Sequence, residues 1–137
     1  MNYQLVQDHD DLRTIMRDFM TALDRRDMAD IARRRIAFSQ MFRSHMGRED
    51  EAVTALRQSR NPVRDLPVAF QQSRAIVALF LRYSDHVKRW TPAAVEADWA
   101  GYRHAVAVLQ QALLDRMAWE EAQLHPLLPP AKGRVAA

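Results

Sequence analysis

Leu5, His9, Leu12, Met16, Phe19 and Leu23 follow one another at intervals of 4, 3, 4, 3 and 4 residues. A helix of about 3.6 residues per turn puts such a series on one face, so the spacing predicts an amphipathic helix of roughly 20 residues. The pattern returns in Ile31, Arg35, Phe38, Phe42, His45, Glu49, Ala52 and Leu56. It returns again in Ala69, Gln72, Ile76, Leu79, Tyr83, His86 and Trp90, and finally in Tyr102, Val106, Leu109, Leu113, Arg116, Glu120 and Leu124. No four-residue window alternates as a strand would.

The breaks between these stripes are local. Asp24-Arg25-Arg26-Asp27 ends the first, and Asp27 is the expected N-cap of the second. Ser59-Arg60-Asn61-Pro62 reads as a loop, with Asp65 expected to cap the third helix and Pro67 in its first turn. Thr91-Pro92 interrupts the third stripe, because a residue before proline avoids the α region. A short stretch to Asp98 and Gly101 precedes the fourth long helix, which Pro126, Pro129 and Pro130 end. Four helices with mostly short links predict an all-α, antiparallel, up-down-up-down four-helix bundle over residues 1–130, with a flexible tail over 131–137.

Composition removes several kinds of chemistry. The 137 residues suit one domain, and 48% of them are hydrophobic, enough for a core. The chain has no Cys, which excludes disulfides, thiolate metal sites and thiol nucleophiles. No apolar run is long enough to span a membrane, and Met1-Asn2-Tyr3-Gln4-Leu5 does not open like a signal peptide, so the expectation is a cytoplasmic protein. Lys and Arg total 20 against 17 acids. Arg33-Arg34-Arg35 is the one basic cluster, but acids interleave with the basic residues and no aromatics alternate with them, so a nucleic-acid partner is not expected.

The stripes are not purely apolar. His9 lies on the first, His45 and Glu49 on the second, His86 on the third, and Arg116 and Glu120 on the fourth. Buried charges cost several kcal/mol each unless paired or coordinated, so either a metal or one another must compensate them. His45 and Glu49, four apart, stand one turn from each other and offer a nitrogen and an oxygen to one ion. Imidazole with carboxylate suits iron, manganese or zinc. At about 1.5 Å per residue, His9, His45 and Arg116 reach one level along the bundle. His86 reaches it only if residues 87–98 run a further ~20 Å before the last helix starts.

Asp8-His9-Asp10, His45-Met46-Gly47-Arg48-Glu49, Asp85-His86 and Glu120-Glu121-Ala122-Gln123-Leu124-His125-Pro126, in that order, resemble the hemerythrin-like HHE cation-binding domains. The resemblance covers nearly the whole chain. It implies a bundle with a non-haem iron centre that serves oxygen binding, sensing or stress responses. It also implies that His9, His45 and Glu49 hold one metal, that His86 belongs to a second, and that Glu120 is the second carboxylate. Glu121 is the alternative to Glu120.

The chain departs from that family where a His is wanted four residues before Glu120. Arg116 stands there, and a guanidinium has no lone pair to give. One turn before His86 stands Arg82, again no ligand. Two readings remain open. In one, a single or incomplete iron site binds His9, His45, Glu49 and a fourth-helix carboxylate. In the other, the metal is lost and Arg116 pairs with Glu49 and Glu120 in a cofactor-free interaction module.

Other singletons weigh less. His104 lies away from the cluster, His125 stands at an aromatic position and reads as packing or surface, and Trp90, Trp99 and Trp119 read as packing residues. With no Cys, and no Ser or Thr sharing an inward stripe with a His, an enzyme is not expected. The expectation is a sensory or regulatory domain with a protein partner, a second copy of itself being one candidate, and no nucleic-acid or membrane partner.

Overall fold

The computed structural model describes residues 2–128; the expected tail, and the expected domain end at 130, lie outside the described residues. Five α-helices follow in order: α1 (Tyr3–Arg25), α2 (Met28–Arg57), α3 (Pro62–Arg89), α4 (Pro92–Ala97) and α5 (Trp99–Trp119). A π-helical turn, Glu120–Leu124, and a 3-10 turn, His125–Leu127, complete the chain. No strand occurs among the described residues. The molecule is therefore all-helical, as the periodicity predicts.

Local chemistry sets the boundaries. The Asn2 side chain caps α1 by accepting from the Leu5 amide at 3.3 Å. Asp27 caps α2 as expected, accepting from the Asp30 amide at 3.1 Å. Between them Arg26 takes a left-handed conformation, φ 53°, that lets its amide close the end of α1 on the Leu23 carbonyl.

The third boundary needs correction. α3 begins one turn before Asp65, with Asn61 as its N-cap and Pro62 in the first position, where a missing N–H costs nothing. Asp65 instead lies buried inside that first turn, held by Arg64 and by the Ser59 hydroxyl. Pro67 stands beyond that turn, inside the helix. Asp98 caps α5 through the Gly101 amide at 3.0 Å, so Gly101 is inside the helix rather than before it. A side chain at Gly101 would strike the Asp98 carboxylate, at 2.2 Å from an added Cβ.

Three buried clusters form the core. Phe19, Leu23, Ile31, Trp90, Val95 and Tyr102 gather α1, α2, α4 and α5 at one end. Leu5, Val53, Leu56, Ala69 and Leu124 gather α1, α2, α3 and the π turn at the other. Leu12, Met16, Phe42, Leu109, Leu113 and Met117 fill the middle. His9, His45, Glu49 and Glu120 lie between the middle and the second end, whereas His86 lies beside Tyr102 of the first.

Candidate metal centre

His9 from α1, His45 and Glu49 from α2, and Glu120 from the π turn are all at most 3% exposed. One ligand atom from each lies within 4.8 Å of every other, so this buried group can hold a metal ion. His9 Nε2 stands 3.1 Å from Glu120 Oε1, and His45 Nε2 stands 2.7 Å from Glu49 Oε2. Neither contact has hydrogen-bond alignment: both Nε2 atoms and both Glu49 oxygens lack a hydrogen-bond partner among the described residues. Buried polar atoms left this way cost roughly 1–3 kcal/mol each, and one cation among them could satisfy several at once.

The outer ring nitrogens are tied down. His45 Nδ1 lies 3.0 Å from Asp8 Oδ2, and His9 Nδ1 lies 2.8 Å from Glu121 Oε2. Both carboxylates are ionised. Burial alone would raise the Asp8 carboxyl, but Arg48, His45 and Gln4 together hold it below its ordinary value. Arg48 grips Asp8 with two hydrogen bonds, each 2.7 Å. Burial likewise would raise Glu121, but His9 and Arg13 keep it low. An ionised carboxylate only accepts, so both rings donate from Nδ1 and turn Nε2 inward. Metal-binding histidines are oriented in this way by carboxylates behind them.

The inner groups feel the same field. Burial pushes the His45 imidazole down, yet Glu49, Asp8 and Glu120 outweigh it and hold its pKa above the ordinary value. Burial would raise Glu49, but the His125, His45 and His9 rings bring it well below the carboxylate range. Glu120 is aimed by Gln72 of α3, whose amide donates to Oε2 at 2.5 Å.

Arg116 is near but not central. Its Nε is 3.7 Å from Glu120 Oε2, too long for a hydrogen bond. Its guanidinium bonds the Gln72 carbonyl oxygen and stacks 3.9 Å from the Trp119 ring centre. No hydrogen bond or close ion pair joins it to Glu49, although the Glu49 charge acts on it through space.

His86 is placed elsewhere. It packs against Tyr102 with ring centres 6.0 Å apart, in a separate cavity between α2, α3 and α5. The reason is length. α3 stops at Arg89, and α4 occupies only Pro92–Ala97 before α5 starts at Trp99, so residues 87–98 do not supply the extra ~20 Å. At the level of the cluster, α3 presents Gln72 instead.

His125 is the residue that sequence reasoning misses. It is buried, its ring centre lies 4.8 Å from that of His9, and its Nε2 is 3.7 Å from Glu49 Oε1. In a continuous α-helix, a residue five places after Glu120 would point about 140° away from it. The π turn, closed by the His125 amide on the Glu120 carbonyl, brings the ring back to the same side. Comparison with protein-family models, with curated proteins and with solved structures finds no match for this chain.

Proposed function

We propose that the chain is a hemerythrin-like antiparallel four-helix bundle whose His9, His45, Glu49 and Glu120 hold a single non-haem iron. In this reading it acts as a non-enzymatic sensory or regulatory domain. The observation that carries it is the pair of buried imidazoles, each fixed by a carboxylate at Nδ1, with Nε2 turned towards Glu49 and Glu120. Two nitrogens and two carboxylates suit iron, with manganese and zinc as chemical competitors.

One ion fits better than two. On the α3 and α5 side of Glu120 stand Gln72 and Arg116, so a second ion there would find no imidazole; the third buried ring, His125, stands on the His9 and Glu49 side of the same ion. A bound iron would supply a redox-active, gas-binding centre. The chain's own part is to hold the rings, aim Glu120 through Gln72, and keep water out with Leu12, Phe42, Leu113 and Met117. The four ligands come from α1, α2 and the π turn, so occupancy ties three elements together, and its loss frees them. That coupling suits a sensor whose output is helix packing. The protein partner would be met on α3, whose outer side exposes Val63, Phe70, Val77 and Leu81. A second copy is one such partner.

The cofactor-free reading keeps one supporting observation, the position of Arg116 beside Glu120. It asks Arg116 to pair with Glu49 as well, but Arg116 pairs with Glu120 and reaches Glu49 only through its field. Anaerobic titration with ferrous ion, followed by equilibrium dialysis, tests the proposal. Wild type should saturate near one equivalent, and folded His45→Ala or Glu49→Gln should not take up the ion. Equal uptake by wild type and variants would overturn it.

A further inference from the structure

Apart from the His–Glu cluster, a cavity of about 450 Å³ opens between α2, α3 and α5, with Phe19 of α1 at its base. That volume lies in the range of small-molecule sites, about 300–1,000 Å³. Its walls are mostly apolar: Phe38 from α2, and Val106, Leu109 and Leu113 from α5. Ile36, 62% exposed, and Val87, 42% exposed, stand at the mouth, so the cavity communicates with solvent.

Three of the polar side chains inside are committed: the Ser39 and Tyr83 hydroxyls bond each other at 2.6 Å, and the Gln110 amide donates to the Met16 carbonyl at 3.0 Å. The charged group among the rest is Arg35. It is half-buried in the wall, with its guanidinium 5.7 Å from the Tyr102 ring centre, and no carboxylate pairs with it among the described residues. No Asp or Glu lines the cavity, whereas exposed Arg43 adds a second positive charge at the rim. Burial and the Arg35 charge keep the His86 ring neutral, with a pKa of about 4, so Arg35 is the cation that the interior offers.

We infer that this cavity is a binding site for a monocarboxylate with an apolar chain or ring body, the carboxylate seated on Arg35 and the body lying against Phe38, Leu109 and Leu113. A guanidinium half out of water gains a charge-assisted pair, and the apolar walls are covered. A neutral amphiphile would leave Arg35 unpaired, and a cationic one would oppose it. The site shares the Phe38 and Leu113 walls with the hollow beside the metal centre but none of the candidate ligands, and it does not rest on that centre.

Isothermal titration of the full chain with decanoate, decan-1-ol and decylamine, all below their aggregation concentrations, tests this. Decanoate should bind saturably, and decylamine should not. Arg35→Gln should weaken decanoate about tenfold or more while leaving decan-1-ol unchanged, a difference of about 1.4 kcal/mol for decanoate alone. Ser39→Trp, which fills the cavity from α2, should abolish both. Absence of saturable decanoate binding, an Arg35→Gln variant that binds decanoate as wild type does, or undiminished binding in Ser39→Trp would each overturn the inference.

Discussion

The Asp8 carboxylate accepts from His45 Nδ1 at 3.0 Å, joining α1 to α2 across 37 positions of sequence. Arg48, one helical turn from His45 and one residue from Glu49, locks the same carboxylate from the other side. Asp8 therefore touches no candidate ligand atom, yet it decides where one of them points.

Asp8→Asn should keep the fold and the four ligands but loosen the His45 ring. Loss of such a supporting carboxylate typically costs 10–100-fold in metal affinity. Competition with a fluorescent chelator would measure it. An affinity within about twofold of wild type would show that the Asp8–His45 bond is purely structural.

Arg116 separates the two readings of the cluster. With its guanidinium on Trp119 and Gln72 rather than on Glu49, Arg116→Ala should cost about 1–2 kcal/mol in urea unfolding of the metal-free chain. A cost of 3–5 kcal/mol, the magnitude for removing one partner of a buried pair, would favour the cofactor-free bundle.

Much of this was legible in the sequence. The stripes and the Asp27 cap are local signals, and α1, α2 and α5 follow them closely. His9, His45, Glu49 and Glu120 stood out because charged residues on an apolar stripe need a reason to be there. His86 misled because its level depends on how many residues pass between α3 and α5, which stripe spacing does not encode. His125 was hidden by the π turn, which changes the register after Glu120. Gln72 carried no charge, and so its stripe position did not mark it as the residue that would aim Glu120. Asp65 misled for a simpler reason: Asn61 and Pro62 form an equally good helix start one turn earlier.

The His86 ring gives the chain an acid-side instability. Burial, with Arg35 adding to it, lowers its pKa from 6.5 to about 4 in the folded state, in a setting that also holds Tyr83 and Tyr102. Between those values the unfolded chain binds a proton that the folded chain refuses, so stability falls as pH drops through that window and its loss levels off below. Discounted for the solvent reaching a half-exposed ring, the loss is about 1–2 kcal/mol. Urea midpoints at pH 7 and pH 4.5 should converge in His86→Phe relative to wild type. The same pH slope in both proteins would assign the effect to other groups.

The Asp27 cap should be separable from the site. Asp27→Ala removes the acceptor for the Asp30 amide and should lower stability by about 1 kcal/mol, with metal uptake unchanged. A change in uptake would mean that the start of α2 is coupled to His45 and Glu49 farther along the same helix.

The most direct measurement is metal content by plasma mass spectrometry, on untagged chain purified without chelators after growth with added iron. Close to one iron per chain is expected, falling to background in His45→Ala. Background levels in wild type, persisting after anaerobic ferrous reconstitution, would contradict a metal centre built from His9, His45, Glu49 and Glu120.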